Sequence, residues 1–269
     1  MNAGISETFI AKNGTDLEKA RLQYILYGSD PEPDVLKNLT RLQNEDGGFP
    51  CGLEDGNPSS LERTHLALWW LEELGTLNST EVDSAIDFMV RKQSDDGSWD
   101  ENLALPRHCL PPWIIPGDLL TRLYLTAYSA YWLGVSGRRG QISFQKALDF
   151  LIEYQDGIGE FYGYLHTTWL ATSVFIMAGD QYTITAKRGL QALMDRPLSE
   201  YEASQLAWLL NCLSSAGMSR GHHVATHFLI KLRQLRRPEG SWASEDGDIH
   251  AVDSTIESLR ALKRFGLLI

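Results

Sequence analysis

One seven-residue phrase recurs along the chain and limits what it can fold into more than any other feature. Gln43, Gln93 and Gln155 are each followed by Gly at +4 and an aromatic at +6, in "QNEDGGF", "QSDDGSW" and "QDGIGEF". A fourth copy, "RRPEGSW", keeps Gly240 and Trp242 with Arg236 in the Gln place. Each copy closes a segment, over 35–42, 82–90, 144–152 and 224–235, whose apolar residues recur at helical spacing. The phrase therefore reads as a helix terminator. Glycine adopts a backbone conformation that other residues resist, the aromatic folds back to be buried against a neighbouring repeat, and the Gln satisfies backbone groups at a neighbouring helix end.

A second helical series lies between these segments. "ERTHLALWW", "YLTAYSAYW", "HTTWLATSV", "EASQLAWLL" and "DSTIESLRA" align as a polar residue, a small or hydroxyl residue at +2 (Thr64, Thr126, Thr168, Ser204, Thr255) and Ala or Ser at +5. Small side chains one turn apart let helices approach closely, which suits an inner layer. With "DLEKARLQYILYG" as a sixth, less regular member, inner and outer helices alternate about six times, and no stretch reads as a strand. Such alternation predicts an all-α fold, a closed toroid or an open solenoid. Irregular gaps, and an outer segment over 183–194 without the terminal phrase, favour a closed (α/α)6 ring, expected as a single domain over 1–269 with 1–15 irregular.

The formal charge of −11 and pI near 5.1 argue against nucleic acid as a partner. No basic region precedes an apolar core at the start, so no signal peptide is read, and no run is long enough to span a bilayer. Cys51, Cys109 and Cys212 lack Cys-x-x-Cys spacing and are expected as reduced thiols of a cytoplasmic protein, with no metal site. The segment "PRHCLPPWIIPGDLL" has enough proline to block a helix and an apolar run centred on Trp113. It reads either as a loop pinned to the core or as a lid or lipid-facing entrance, the second leaving room for peripheral membrane contact, with Arg107, His108 and Arg122 near a polar head.

The Gln-x3-Gly-x-Trp/Phe phrase at 43–49, 93–99 and 155–161 resembles the QW repeat of the prenyltransferase and squalene-cyclase superfamily, over roughly residues 30 to 266. The resemblance implies a toroid whose inner-helix N-termini surround an apolar cavity for isoprenoids. "AVDSTIE" is similar to the catalytic Asp-Cys-Thr-Ala-Glu of oxidosqualene cyclases and the Asp-x-Asp-Asp-Thr of bacterial class II terpene cyclases. It implies Asp253 as the acid that protonates the substrate, with Thr255 and Glu257 on motif positions, although Ala251 and Ser254 stand where the bacterial motif has acids.

The polar first residues of the aligned register, Glu62, Tyr124, His166, Glu202 and Asp253, form a candidate site, although each type also suits an ordinary helix cap. "STIE", with Ser254 and Glu257, is itself a capping-box pattern. Protonating an alkene needs a carboxyl that burial keeps neutral and that donors stabilise afterwards. His250, Ser254 and Thr255 are the nearby candidates to bond Asp253, and Glu257 could share its proton. Aromatic faces stabilise carbocations, and Tyr128 and Trp169 are the favoured walls, although aromatics at helical spacing are commonly core. The zinc-dependent protein prenyltransferases are rejected, because the Asp-x-Cys they need is replaced by hydroxyl residues around Tyr124 and Thr126. The expectation is a terpenoid cyclase acting on a linear isoprenoid without cofactor. Non-catalytic isoprenoid binding, or a glycan-active enzyme using two of Glu62, Glu202 and Asp253, are the alternatives.

Overall fold

In a computed structural model the residues described are 2–268. They form twelve α-helices and one antiparallel pair of two-residue strands, β1 (Phe49–Pro50) and β2 (Ser59–Ser60). The chain divides into two compact units, Leu36–Ala192 in one and the residues on either side of it in the other, with the boundaries inside α3 (Pro33–Thr40) and α9 (Thr183–Asp195).

In the central unit α4 (Leu61–Glu73), α6 (Leu119–Val135) and α8 (Leu165–Ala178) pack side by side with α6 in the middle. α5 (Thr80–Lys92) lies on α4 and α6, and α7 (Ile142–Ile152) on α6 and α8. Every residue of α6 from Leu123 to Gly134 is buried, as an apolar helix covered on all sides must be. The other unit holds α1 (Gly4–Asn13), α2 (Asp16–Tyr27), α10 (Ala203–Ser215), α11 (His223–Gln234) and α12 (Ala251–Arg264). There α12 packs between α10 and α2, α11 on α10, and α1 on α2 and α12. Residues 4–13, expected to be irregular, are helical as α1, which ends where the Gly14 N–H bonds the Ile10 carbonyl.

The recurring phrase does what its spacing predicted, and more. Each Gln donates twice through Nε2, to the carbonyl of its own repeat glycine and to a first-turn carbonyl of the next outer helix. Gln43 reaches Gly47 and Glu81 (both 2.8 Å), Gln93 reaches Gly97 and Ser143 (2.9 and 2.8 Å), and Gln155 reaches Gly159 and Thr185 (3.1 and 2.9 Å). Gly47, Gly97 and Gly159 have φ of 84°, 89° and 101°, and a Cβ there would overlap the backbone carbonyls of Ser84, Lys146 and Arg188. Glycine is thus required twice, for its conformation and for the close approach. In the fourth copy Gly240 lies against the backbone of Ile5 and Ser6, and Arg236 bonds Ser6 Oγ at 2.8 Å, so α1 is the outer helix this copy fastens.

The aromatics Phe49, Trp99, Phe161 and Trp242 are all buried. The indole N–H of Trp99 turns back to the Met89 carbonyl, and that of Trp242 to the Leu232 carbonyl, each at 2.7 Å. After α9, which lacks the phrase, Tyr201 takes this place, with its hydroxyl on the Leu193 carbonyl at 2.8 Å. The +2 threonines are not merely small. The hydroxyls of Thr64, Thr126, Thr168 and Thr255 accept the backbone N–H of Phe49, Trp99, Phe161 and Trp242 at 2.9, 2.9, 3.2 and 3.1 Å. Two further expectations are corrected. Cys51 and Cys109 are not reduced thiols but a disulfide, and Cys212 is a buried cysteine outside it. Ser254 and Glu257 form no capping box, because α12 begins at Ala251, ahead of them. Among the described residues no helix is long and apolar enough to cross a membrane.

Candidate active site

In the central unit the site begins at the first turn of α4. Ser60 caps the helix by accepting the Arg63 N–H at 3.3 Å. Its hydroxyl in turn donates to Glu101 Oε1 at 2.6 Å, and the same oxygen accepts the Glu62 N–H at 2.7 Å. A carboxylate from another part of the chain thereby occupies the positive end of α4, where N–H groups lack partners. Beside it the Glu62 side chain is 13% exposed, with Oε2 at 3.1 Å from Arg63 Nε. Burial pushes the Glu62 carboxyl up to about 7, Arg63 opposes the shift, and the negative Glu101 adds to it. Burial also raises Glu101, against the hydrogen bonds it accepts.

One turn on, His65 is fully buried, with Nε2 at 2.9 Å from Ser129 Oγ, and burial lowers its imidazole to about 3. It is neutral at any physiological pH, so it brings no positive charge to the Glu62 turn. Its ring leads into a run of aromatics across α4, α6 and α8. His65 meets Tyr128 at 4.4 Å between centroids and Tyr128 meets Tyr124 at 5.8 Å. Tyr124 meets His166 edge-on at 6.5 Å, and His166 meets Trp169 at 4.5 Å. Four of the expected site residues, Tyr124, Tyr128, His166 and Trp169, are therefore joined in one series that starts a turn from Glu62. Trp169 is completely buried, Tyr124 and Tyr128 nearly so, and His166 half-buried. Trp113 lies apart, 43% exposed in the loop before α6, its carbonyl accepting the Tyr164 hydroxyl at 2.7 Å.

In the other unit Asp253 sits in the first turn of α12, its side chain 42% exposed. Its Oδ1 accepts from Arg21 Nη1 at 2.6 Å, and that guanidinium, from α2, is only 2% exposed. Glu257 lies 3.9 Å from Arg21 and 3.8 Å from Arg260, and accepts the Asn211 amide at 2.8 Å. A guanidinium keeps its proton under all ordinary conditions, so burying Arg21 calls for negative charge beside it. The groups offered to Asp253 by spacing are occupied differently. Ser254 Oγ donates to the Ala243 carbonyl at 2.8 Å, Thr255 Oγ1 donates to Ala251 at 2.6 Å while closing the last repeat, and His250 is exposed ahead of α12. Glu202 is exposed at the start of α10, where its N–H bonds Gln205 Oε1 at 3.0 Å.

Sequence reading missed Glu101, His65 and Arg21. Glu101 lies two residues beyond Trp99, the last residue of the repeat phrase, and has no periodic partner. His65 falls between the aligned positions. Arg21 carried a signal, a cation beside Leu22 on a face that proves to be buried. Among the described residues no cluster of three or more His, Cys, Asp or Glu side chains is suited to a metal ion.

No protein-family model and no curated protein matches the chain. Solved structures do. A protein from Actinoplanes matches with a TM-score of 0.61 at 17% identity, over 93% of this chain and 90% of that one. A variant of the type II terpene cyclase MstE from Scytonema, in complex with merosterolic acid A, matches at 0.60 and 13%, over 93% and 86%. The ent-copalyl diphosphate synthase from Streptomyces platensis matches at 0.60 and 15%, over 93% of this chain but 50% of its own. At such identities the likeness speaks for architecture alone, and that architecture is the all-α toroid of the class II terpene cyclases.

Proposed function

We propose that the chain catalyses protonation-initiated cyclisation of a linear isoprenoid, with Glu62 as general acid. The observation that carries the proposal is a carboxyl pushed up to about 7 by burial, one helical turn from a run of aromatic rings. Near neutral pH such a group still holds a proton to give, which is where a general acid is most effective. Glu62 would deliver it to a terminal alkene or epoxide, forming a C–H or O–H bond and a carbocation. The π electrons of the next double bond would close a C–C bond onto that cation, the last cation would lose a proton to water to restore an alkene, and the Glu62 carboxylate would take up a proton from solvent, so no redox cofactor is needed. The faces of Tyr124 and Tyr128 favour the intermediate cation. The Glu62 carboxylate left behind gains from Arg63 and from the N-terminus of α4. Support for an isoprenoid comes from the fold and from a related structure, a MstE variant that holds geranylgeranyl dihydroxybenzoate as substrate, at a TM-score of 0.58 and 14% identity.

The motif resemblance assigns the acid to Asp253, and the proposal moves it. Asp253 already faces the buried guanidinium of Arg21 at 2.6 Å, so in this reading it serves, with Glu257, as an ion-pair partner that holds α2 to α12. This pairing also favours a second reading, isoprenoid binding without turnover. Incubation with a panel of linear prenyl compounds, followed by mass spectrometry, separates the two. Wild type should give cyclised product, and Glu62→Gln should lose roughly 100-fold or more of the rate. Undiminished cyclisation by Glu62→Gln overturns the assignment, and binding with no product from wild type establishes the second reading.

A further inference from the structure

The donors at the start of α4 can be accounted for one by one. Its first three N–H groups belong to Leu61, Glu62 and Arg63. Ser60 Oγ accepts the third at 3.3 Å, Glu101 Oε1 accepts the second at 2.7 Å, and Glu101 also takes the first. The Ser60 hydroxyl gives its own proton to Glu101 at 2.6 Å. Glu101 is 4% exposed, and a buried carboxyl ringed by donors is held as the anion, because only that form accepts from all of them. Glu62 is placed in the opposite way. Its Oε2 is buried and, among the described residues, without a hydrogen-bond donor, since Arg63 Nε approaches to 3.1 Å but off the line a hydrogen bond needs. Two charged groups act on Glu62, Arg63 from α4 and Glu101 from the chain after the repeat phrase. α6, packed on α4, brings the phenols of Tyr124 and Tyr128 to this end, and the neutral His65 lies one turn on. Glu101 is itself held by the second repeat. The N–H of Trp99 bonds Thr126 Oγ1 at 2.9 Å and its indole N–H the Met89 carbonyl at 2.7 Å, while Asp100 accepts the N–H groups of Glu101 and Gly117, both at 2.8 Å.

We propose that Glu101 is a positioning residue for the acid: by taking up the donors at the start of α4 as a carboxylate, it leaves Glu62 as the member of the pair that keeps its proton. Two carboxyls in unlike surroundings divide the work of anion and proton donor between them. The catalytic consequence rests on the cyclase reading, but the coupling of the two carboxyls does not. Without Glu101, the N–H groups of Leu61 and Glu62 and the Ser60 hydroxyl would be open to another carboxylate in the first turn, where the helix end favours negative charge. Glu62 would then ionise more readily and hold less of its proton near neutral pH. After proton transfer the Glu62 anion has Arg63 and the field of the helix to rely on, which is less than Glu101 receives, so it regains a proton from solvent. The closure of one helix pair thereby sets the proton state at the head of the pair before it.

The test follows each carboxyl of the full chain through its own titration, by NMR of glutamate carrying 13C at Cδ, with Glu62→Gln and Glu101→Gln identifying the two resonances. In wild type Glu101 should lose its proton before Glu62, whose midpoint should lie at about 7. The reverse order overturns the proposal with no further variant. Glu101→Gln removes the charge but keeps an acceptor for Ser60 and Glu62, and should lower the Glu62 midpoint by about one pH unit or more, a tenfold loss of proton affinity. Glu101→Ala also frees the donors and should lower it further; should it fail to fold, Glu101→Gln carries the comparison. A Glu62 midpoint that stays in place in folded Glu101→Gln overturns the proposal. With a linear prenyl compound as substrate, the alkaline limb of kcat against pH should move down by the same interval while KM changes little, which a merely structural loss would not produce. If the midpoint moves while no form of the protein cyclises a prenyl compound, the acid assignment falls and the coupling of Glu101 to Glu62 stands.

Discussion

The first turns of α4 and α12 present a carboxyl at the same place in the repeat register, and the two surroundings make different chemistry of it. Glu62 is the more buried, has Arg63 on one side and the negative Glu101 on the other, and its carboxyl rises to about 7. Asp253 is the more exposed and meets a buried arginine that arrives from another helix. The register decides where an acid stands, and its neighbours decide whether it gives up a proton or balances a charge. A motif match at Asp253 identifies the first of these and is silent on the second.

The strongest way to break this comparison is to remove Arg21. Arg21→Met should cost about 3 kcal/mol in urea unfolding, because Glu257 and, less severely, the partly hydrated Asp253 lose their buried counter-ion. A change under about 1 kcal/mol would mean that Asp253 is no structural ion-pair partner and would return it to candidacy as the acid.

Glu62→Gln should act in the opposite direction. The folded-state proton affinity of Glu62 is raised, so between roughly pH 4.5 and 7 the folded chain holds more protons than the unfolded one. Its contribution is therefore intact below this window and falls away as pH rises through it. Gln removes that slope and should stabilise the protein at pH 8 by about 2 kcal/mol, as thermal unfolding across pH would show. A destabilised Glu62→Gln at pH 8 would mean that the ionised carboxylate is well accommodated and poorly suited to giving up a proton there.

The smallest effects sharpen the comparison by supplying its control. Thr126→Val and Thr255→Val each leave the buried N–H of Trp99 or Trp242 without its acceptor, and each should cost about 1 to 2 kcal/mol. Equal losses would show that the repeat closes alike in both units, so that a difference between Glu62 and Asp253 reflects their neighbours and not the frame that carries them. Unequal losses would put the difference in the frame.

Much of that frame was legible before any coordinates. Gln, Gly and the aromatic recur because each performs a local task at a helix end, and local tasks leave a fixed spacing. The +2 threonines were visible as a stripe but misread as merely small, since their acceptor role depends on an N–H up to 27 residues away. Tyr201 as a substitute for the missing Trp was not legible, because its chemistry resembles the indole's but its spacing does not. Tyr124 and His166, taken as heads of the aligned register, and Tyr128 and Trp169, taken as aromatics within a turn of it, do come together. His65, Glu101 and Arg21 were not foreseen, because none of them repeats.

The sequence by itself determined the helical repeat, the places where helices end and the polar residue at the head of each aligned segment, since helix periodicity and glycine conformation act over a few residues. Only the tertiary structure decided that Arg21 answers Asp253 across 232 positions, that Glu101 crosses to the start of α4, and that Cys51 is bonded to Cys109. Proton affinity, ion pairing and disulfide formation depend on distance in space and on exclusion of water, and neither quantity is carried by the order of residues along a chain until it has folded.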